Sequence, residues 1–474
     1  MKLGEIANIL GSTLGSIDSS ERHPLGYSID SRTVRAGEMF FAIRGENYDG
    51  HRFVQGALER GAIAAVVDDS AAQIDNINLI RVSDTLVALQ SLAAAAIRNW
   101  QGREVAITGS MGKTTTKEMT AAALAQAGRV IKTLGNLNND YGLPLSILKM
   151  ESDGAQASDF DYAILEMGMN HKGEIARLAQ IAPPDVGVVT IVAPVHLEFF
   201  DSVEAIADAK AELIAGIKTN GAAVLNADDE RVARMREMRS DIEYRTFGIE
   251  SAADVTARDI QSDGLSGTRF KLVTPRGNVD ARLAVAGRHN VYNALAAAAV
   301  ADFYEVSLEH IATALAESSS PRMRGEVLRF SEGFTVVDDS YNSNPRALVE
   351  MVTTICANKD CERKIVIAGE MLELGATGAE LHRKAGRRIA ALGVDLLIGV
   401  RGLAREIVAG AREAGMSLES AIFCETPNEA ADVLTREARA GDLILIKGSR
   451  GVKTEIVVER MKQARGQVSG AGSR

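Results

Sequence analysis

The feature that most constrains this chain is a short apolar strand followed by a glycine-rich loop and a helix. The strand Glu104–Ile107 leads into Thr108-Gly109-Ser110-Met111-Gly112-Lys113-Thr114-Thr115-Thr116, and a helix is predicted from about Lys117 through Ala127. Glycines let the backbone approach a phosphate, and the N–H groups at the helix start point at it. Lys113 supplies a cation for the β/γ-phosphates, and the Thr114 hydroxyl is suited to ligate Mg²⁺. This order predicts a phosphate-binding P-loop rather than an incidental glycine turn.

The loop is not the commonest kind of P-loop. In the pattern G-x-x-x-x-G-K-[ST] the first glycine would fall at position 107, which is Ile107, and the extra glycine is instead Gly109. That shift separates the chain from ordinary GTPases. The residues predicted to contact the nucleotide here are Gly109, Ser110, Met111, Gly112, Lys113, Thr114 and Thr115.

Composition indicates an ordinary soluble globular protein with more than one domain. The chain has 474 residues, of which 46% are apolar and 24% charged, and this length predicts two or three domains. A net charge of −10 argues against a nucleic-acid partner. The three cysteines lack metal-site spacing, which predicts reduced thiols and a cytoplasmic location. No apolar run approaches the ~18 residues of a membrane span, and no signal peptide is recognisable, so no membrane insertion is expected.

Strand and helix patterns alternate along most of the chain, which predicts mostly parallel sheets covered by helices. A small N-terminal α/β domain is predicted over residues 1–100, and a central P-loop domain over residues 101–318. Short alternating runs at Asp254–Val285 predict an antiparallel patch added to the central sheet. The strands predicted in the first domain are Ser28–Arg32, Met39–Ile43 and Ala64–Val67.

A third α/β series follows a linker at Ser318–Pro321. We predict a C-terminal Rossmann-like domain over residues 319–465, and a flexible tail rich in glycine and serine over residues 466–474. The strands predicted in this domain are Thr335–Asp338, Lys364–Ala368, Asp395–Val400, Ala421–Cys424 and Asp442–Lys447.

Three single residues stand where ligands are often held in such sheets. Glu166 ends an apolar strand, and its order after the P-loop favours an Mg²⁺ role over a surface glutamate. His196 follows another strand, and a structural histidine and a ligand are about equally supported there. For Lys210, which lies in a helical stretch, spacing alone favours a solvated lysine paired with a neighbouring acid.

Four polar segments are further candidates. Gly135–Leu145 is rich in Asn, Gly and Pro, which is typical of a turn or of a loop whose amides hold a polar substrate. Asn290 lies near the cap of a predicted helix, and capping alone would explain it. Val337–Pro345 is more specific, because two acids end a strand and Tyr and Asn residues precede a helix. Leu445–Gly451 likewise ends a strand with cationic and small residues, so several such ends predict a binding cleft.

These segments, in this order, resemble the Mur ligase family, the ATP-dependent amide-forming enzymes of bacterial cell-wall precursor synthesis. The match runs from about residue 28 to residue 455. Its motifs, besides the P-loop, are Glu166-Met167-Gly168, Pro194-Val195-His196-Leu197-Glu198, Ala209-Lys210-Ala211-Glu212, Gly287-Arg288-His289-Asn290 and Lys447-Gly448-Ser449-Arg450.

Within the family, the pattern is most similar to that of the members that add D-alanyl-D-alanine to UDP-N-acetylmuramoyl-tripeptide. The supporting segments are Ser28–Arg32, Phe40-Phe41-Ala42, Asp49-Gly50-His51, Lys113–Met119, Asn136–Asn139, Asp339–Pro345 and Gly369–Gly375. The Asp-Asn-Pro-Arg motif typical of the ligase for the third amino acid is absent. Alternatives are that third-residue ligase, a folylpolyglutamate synthetase-like enzyme, or a P-loop regulatory NTPase, which would need neither Lys210 nor the third-domain motifs.

The chain departs from the family pattern at several positions. Met111 stands where Asn is frequent, and Val192–His196 replaces the more usual Asn-Ile-Gly-x-Ala-His. Glu370 replaces an aspartate and Ser343 an alanine. None of these changes removes a charged catalytic group.

The resemblance implies a mechanism with four catalytic residues, Lys113, Glu166, His196 and Lys210. The tripeptide carboxylate would attack the γ-phosphate of ATP to form an acyl phosphate, which the amine of D-Ala-D-Ala then attacks. Catalysis would consist mostly of positioning and charge neutralisation. Thr114 and Glu166 would hold one Mg²⁺ and His196 a second. The family lysine matching Lys210 is often carbamylated by CO₂, and the resulting anion would ligate Mg²⁺ or orient water.

The resemblance also implies the remaining contacts. Asn290 and Arg322 would contact ATP, and Asp339 its ribose. The first domain would bind uridine diphosphate through Ser31, Arg32, Gly45, Asp49 and Gly50. Other substrate contacts are expected from Asn138, Asn139, Tyr341, Asn342, Asn344, Lys447 and Ser449. The third domain would carry the dipeptide and close over ATP, and the protein is expected to act as a monomer.

Overall fold

The chain folds into three α/β domains, each built on its own sheet, as the sequence predicts. The computed structural model describes residues 1–12, 20–45, 48–69, 78–195 and 197–466, and the backbone of residues 468–470. In chain order the sheets contain four, nine and seven strands. Within these residues, every helix is too short or too polar to cross a membrane.

The first sheet has four parallel strands in the order β1-β2-β3-β4. Its elements are β1 (Gly26–Ser28), β2 (Glu38–Phe41), β3 (Ala64–Val67) and β4 (Leu79–Arg81), with helices α1 (Leu3–Ile9), α2 (Val54–Glu59) and α3 (Thr85–Asn99). The predicted strand Ser28–Arg32 exists but is misplaced: β1 covers Gly26–Ser28, and the chain turns after it. Asp30 Oδ1 accepts the backbone N–H of Arg32 at 2.9 Å, and such a local bond competes with strand pairing.

The central sheet is parallel except at one edge, in the order β13-β12-β11-β10-β9-β8-β5-β7-β6. Its strands are β5 (Arg103–Thr108), β6 (Val130–Lys132), β7 (Tyr162–Glu166), β8 (Val186–Val189), β9 (Ala222–Asn226), β10 (Glu243–Gly248), β11 (Val255–Ser262), β12 (Thr268–Thr274) and β13 (Gly277–Leu283). Its helices are α4 (Lys113–Leu124), α5 (Gly142–Leu148), α6 (Glu174–Ile181), α7 (Val203–Ala215), α8 (Glu230–Arg234), α9 (Arg288–Phe303) and α10 (Leu308–Glu317). The predicted antiparallel patch is confirmed for β11 to β13, although β11 also pairs in parallel with β10.

The third sheet has the order β18-β17-β16-β19-β15-β14-β20. Its strands are β14 (Glu326–Phe330), β15 (Thr335–Asp339), β16 (Arg363–Gly369), β17 (Leu396–Val400), β18 (Ala421–Cys424), β19 (Asp442–Lys447) and β20 (Val468–Gly470). Its helices are α11 (Pro345–Cys356), α12 (Gly378–Ala391), α13 (Ala404–Glu413), α14 (Pro427–Glu437) and α15 (Glu455–Arg465). The five strands β15 to β19 are parallel, as in a Rossmann-like sheet. Sequence analysis missed β14, which pairs antiparallel with β15, and β20 lies within the segment predicted as a flexible tail.

The first two domains share one apolar core. Buried side chains of α1 and α3, such as Leu3 and Leu92, belong to the same cluster as Leu143 and Leu165 of the central domain. The Trp100 indole N–H also donates to the Phe160 carbonyl at 2.9 Å. Because this core is continuous, the connection near residue 100 is packed rather than free.

Candidate functional site

The P-loop lies at a topological switch point of the central sheet. Strand β5 has β7 and then β6 on one side, and β8 followed by β9 on the other. After β5 the chain builds β6 and β7 on one side and then crosses to β8 on the other. Such a reversal of strand order opens a crevice at the carboxyl ends of the strands. Helix α4 begins at Lys113, earlier than the predicted Lys117, directly after Gly112 in a left-handed conformation with φ +82°. Its free N–H groups thus start at the loop itself.

Hydrogen bonds to the segment after β8 hold the loop in place. The backbone N–H of Ser110 donates to the Ile191 carbonyl at 2.8 Å, and the Thr190 hydroxyl donates to the Met111 carbonyl at 2.6 Å. Gly109 has φ +148°, and a Cβ there would lie 1.9 Å from Thr190 Oγ1. Only glycine fits at this position, so the displaced glycine noted in the sequence has a steric cause.

Two predicted metal ligands lie side by side at the next strand end. The Thr114 hydroxyl donates to Glu166 Oε2 at 2.8 Å, and the Asn138 amide donates to Glu166 Oε1 at 2.8 Å. Glu166 and Thr114 are both buried. A hydroxyl and a carboxylate at this separation are oxygen donors of the kind that Mg²⁺ prefers, so the donor set fits a magnesium ion.

The predicted ligand of a second Mg²⁺ ion is His196. His196 lies outside the described residues. In the part of the chain that is described, no three His, Cys, Asp or Glu side chains gather as a metal site. The second metal position therefore stays a prediction.

Lys113 folds back over its own loop. Its Nζ donates to the Gly109 carbonyl at 2.8 Å. Burial lowers the pKa of Lys113, the charge of Glu166 opposes that shift, and Arg324 of the third domain adds to it. Because the Lys113 ammonium group already faces the loop interior, it can transfer its hydrogen bond from this carbonyl to phosphate oxygens.

Lys210 is buried on α7, with 2% of its surface exposed. Its interpretation from spacing alone, as a solvated lysine, is therefore wrong. Burial lowers the pKa of Lys210 well below its ordinary value of 10.5, and the charge of Lys113 lowers it further. A neutral buried amine is a nucleophile, which is the state that reacts with CO₂.

A second group of predicted residues meets at the carboxyl ends of β15 and β19. Asp339 and Lys447 are register partners on these strands, and Lys447 Nζ donates to Asp339 Oδ2 at 2.5 Å and to the Asn342 carbonyl at 2.9 Å. Ser449 donates to the Ser343 carbonyl at 3.4 Å. The two strand ends therefore form one polar edge.

Two predicted substrate contacts, one in the third domain and one in the central domain, accept hydrogen bonds at the start of a helix. Asn344 caps α11 by accepting the N–H of Ala347 at 2.9 Å. Asn139 similarly accepts the N–H of Gly142 at 3.0 Å, where α5 begins. Neither bond excludes a substrate, because each side chain keeps its amide N–H₂ as a donor.

Contacts near the third domain single out Arg324, which sequence analysis did not identify. Its guanidinium lies 4.0 Å from the centre of the Tyr341 ring, a cation–π contact. Arg322, the predicted ATP contact, is exposed. No local signal in the sequence distinguishes two arginines that are two positions apart, because the choice depends on how the domains meet.

Asn290 is tied to the P-loop helix through one intermediate residue. Its amide donates to the Ala286 carbonyl at 2.7 Å, and its oxygen accepts from Asn293 at 3.1 Å. The Thr116 hydroxyl of α4 in turn donates to Asn293 at 3.3 Å. A Cβ on Gly112 would lie 2.4 Å from Asn293 Oδ1, so α9 packs directly against the loop.

The residues predicted to bind uridine diphosphate follow two adjacent parallel strands. Ser31 and Arg32 come after β1, and Gly45, Asp49 and Gly50 after β2, so both groups lie at one sheet edge. Arg32 makes a two-pronged contact with Asp30 at 2.7 and 2.9 Å. A Cβ on Gly50 would lie 2.7 Å from the Ile43 carbonyl, so this turn also requires glycine.

The fold and this site define a three-domain nucleotide-binding protein built on a P-loop. Models of known families match all three parts of the chain. The Mur ligase family catalytic domain matches residues 25–97, the Mur ligase middle domain residues 107–301, and the Mur ligase glutamate ligase domain residues 323–450. The chain belongs to the Mur ligase family, a family of amide-forming ligases.

Individual relatives are similar over nearly the whole chain. The UDP-N-acetylmuramoyl-tripeptide–D-alanyl-D-alanine ligase of Escherichia coli (strain K12) is 33% identical over 466 residues, which cover 97% of this chain and 98% of that protein. A crystal structure of MurF from Acinetobacter baumannii is 28% identical, covers 98% of both chains and has a TM-score of 0.86. MurF ligase of Thermotoga maritima in complex with ADP is 29% identical, with a TM-score of 0.79 over 93% of this chain and 97% of that one.

Proposed function

We propose that this protein uses ATP to join D-alanyl-D-alanine to UDP-N-acetylmuramoyl-tripeptide in the synthesis of peptidoglycan precursors. Full-length similarity to ligases named for this reaction supports the substrates. The observation that carries the chemistry is the Thr114–Glu166 pair at 2.8 Å beside Lys113. A hydroxyl and a carboxylate at this separation, next to a lysine, suit the γ-phosphate and its metal ion.

The first step activates a carboxylate, because a carboxylate and an amine do not condense usefully in neutral water. The terminal carboxylate of the tripeptide attacks the γ-phosphorus of ATP, and the bond to ADP breaks. Lys113 and the loop N–H groups hold the phosphates in line and offset the charge that moves onto the leaving oxygen. Arg324 lies close enough to affect the pKa of Lys113 and supplies a second cation from the third domain.

In the second step, the amine of the dipeptide attacks the acyl phosphate, and inorganic phosphate leaves the tetrahedral intermediate. The polar edge formed by Asp339, Asn342 and Lys447 is the proposed contact for the nucleotide ribose and the dipeptide. Closure of the third domain would exclude water from the acyl phosphate, which otherwise hydrolyses.

Magnesium and a lysine carbamate complete the proposed site. Thr114 and Glu166 would hold one Mg²⁺, which neutralises phosphate charge when bound, and His196 a second. The neutral amine of Lys210 would add to CO₂ and release one proton, giving a carbamate anion. That anion removes the repulsion which an ammonium would exert on a neighbouring cation.

We also propose a cytoplasmic monomer. The three cysteines are free thiols, which supports a reducing compartment. Sedimentation of the purified protein at several concentrations tests the monomer, since a mass that rises with concentration would contradict it.

The test of the function is phosphate release from ATP and Mg²⁺ with UDP-N-acetylmuramoyl-tripeptide, with and without D-Ala-D-Ala. Release that needs both substrates, together with a product heavier by the dipeptide, supports the proposal. Release that does not depend on the dipeptide would discard this acceptor. Other amino acids would then be tried in its place.

A further inference from the structure

Lys117 is a fully buried lysine that the mechanism above does not use. It lies one turn after Lys113 on α4, and residues four apart share a helix face. Its side chain has no exposed surface. Burying an ammonium group is unfavourable unless it is paired and hydrogen-bonded, so its partners indicate what it holds.

The partners of Lys117 come from two elements. Its Nζ donates to the carbonyls of Thr133 and Gly135 at 2.9 and 3.1 Å. It lies 3.2 Å from Glu118 Oε1 and 4.0 Å from Glu166 Oε2. The cation thus ties the P-loop helix to the segment after β6, and stands beside the proposed metal-binding carboxylate.

That same segment holds Glu166 from its other side. The Thr133 hydroxyl accepts the backbone N–H of Glu166 at 2.8 Å, and Asn138, a few residues on, donates to Glu166 Oε1 at 2.8 Å. Apart from the bond with Thr114, every hydrogen bond or ion pair described for the carboxylate itself therefore involves Lys117 or the segment that it anchors.

We propose that Lys117 is a positioning residue for the nucleotide and metal site. It anchors residues 133–138 to the P-loop helix and keeps the Glu166 carboxylate beside Thr114, where the two would hold Mg²⁺. The predicted effect on kcat rests on the proposed function. The predicted effect on magnesium-dependent nucleotide binding requires only that the protein binds a nucleotide. Residues that orient metal ligands from behind typically change metal affinity or activity by about 10–100-fold when mutated.

The key variant is Lys117→Met, which keeps the length of the side chain and removes its charge and donors. With the bonds to Thr133 and Gly135 lost, the segment that holds Glu166 is anchored less firmly. Its backbone bonds to Ile164 and Gly168 remain. We expect kcat for ligation to fall by about 10–100-fold and KM for ATP in the presence of Mg²⁺ to rise. Binding of ADP without Mg²⁺ should change little, because the P-loop amides still bind the phosphates. Lys117→Arg keeps a cation and donors, so its kcat should lie between those of wild type and Lys117→Met.

A control lysine, more exposed than Lys117, is available at the amino ends of the same central strands. Lys218 pairs with Glu104 at 3.3 Å and Asp185 at 3.1 Å near the start of β5. Lys218→Met removes a comparable set of ion pairs far from the P-loop. It should alter thermal stability without changing kcat or either KM.

A binding measurement separates this role from the ligase assignment. Titration calorimetry of ADP, with and without Mg²⁺, gives the factor by which the metal tightens nucleotide binding. This factor should shrink by about 10-fold or more in Lys117→Met and stay at its wild-type value in Lys218→Met. If wild type lacks ligation, the proposed function fails while this measurement still tests Lys117.

Specific results would overturn the inference. They are a folded Lys117→Met with near wild-type kcat and an unchanged magnesium factor, or equal losses in both lysine variants. If Lys117→Met does not fold, Lys117→Gln, which keeps a donor but loses the cation, decides. A stable Gln variant with unchanged kcat and magnesium factor would reduce Lys117 to a structural lysine.

Discussion

Replacing Lys113 by alanine should abolish ligation and leave the fold intact. The only hydrogen bond described for its ammonium group goes to the Gly109 carbonyl of the same loop, at 2.8 Å. Such a bond contributes about 1 kcal/mol net to stability, against about 5–15 kcal/mol for a whole domain. No carboxylate accepts a described hydrogen bond from this lysine, so its removal leaves no buried carboxylate without a hydrogen bond. Glu166 loses only the longer-range attraction of the Lys113 charge.

The same substitution removes a cation from the phosphates at the transition state. Loss of one preorganised donor typically lowers the rate by about 10²–10³-fold, or roughly 2.7–4 kcal/mol of transition-state stabilisation. The expected kinetic effect is therefore several times larger than the expected effect on stability. Because Arg324 remains nearby, some binding of ATP should persist.

The assay compares Lys113→Ala with wild type and with Lys384→Ala, an exposed lysine on α12. Phosphate release in the presence of both substrates reports activity, and circular dichroism with thermal denaturation reports folding. Lys384→Ala should match wild type in both. A Lys113→Ala protein with a native-like spectrum and ligation within about 10-fold of wild type would refute the role of Lys113 derived from its position.

Three further changes test the site. Lys210→Met should abolish ligation yet, in CO₂-free buffer where Lys210 is an amine, raise the free energy of unfolding near neutral pH. Burial puts the folded-state pKa of Lys210 below the ordinary 10.5, so the unfolded chain binds more protons between the two values. The destabilisation by Lys210 is therefore full below the folded pKa and vanishes as pH rises past 10.5. Denaturant titrations of both proteins across pH would contradict this if their difference did not shrink at high pH. Glu166→Gln should raise the Mg²⁺ concentration for half-maximal activity by about 10-fold or more, and unchanged magnesium dependence would remove this residue as a ligand. Gly112→Ala should weaken ADP binding measured by calorimetry, since its φ is +82° and the new Cβ would lie 2.4 Å from Asn293 Oδ1; wild-type affinity would show that the loop tolerates a side chain there.

Domain closure is expected at the inter-domain connection that is not packed into a shared core. The shared core of α1, α3 and the central domain leads us to expect movement at the connection near residue 320 rather than near residue 100. Small-angle scattering with all substrates present should report a more compact particle. Identical curves with and without substrates would contradict closure.

Local sequence was enough to predict much of the fold. The P-loop, its preceding strand and the Glu166 strand end follow from short motifs, because strand, glycine loop and helix are set by neighbouring residues. The parallel strands of the third domain were predicted within a residue or two at each end. Errors arose where polar side chains bond locally, as at Asp30, which turns the chain after Ser28.

What lay beyond the sequence were the relations between distant segments. Lys210 looked like a surface residue, and only the packing of α7 against the sheet buries it and lowers its pKa. The position of Arg324 near Lys113 and Tyr341 depends on how the third domain meets the second, and the ATP contact of Arg322 stays a prediction. Strand β14 escaped prediction because its pairing partner β15 determines it. Sequence alone determines local backbone and the chemistry available, whereas burial, charge state and the meeting of strand ends are decided by contacts between residues far apart in the chain.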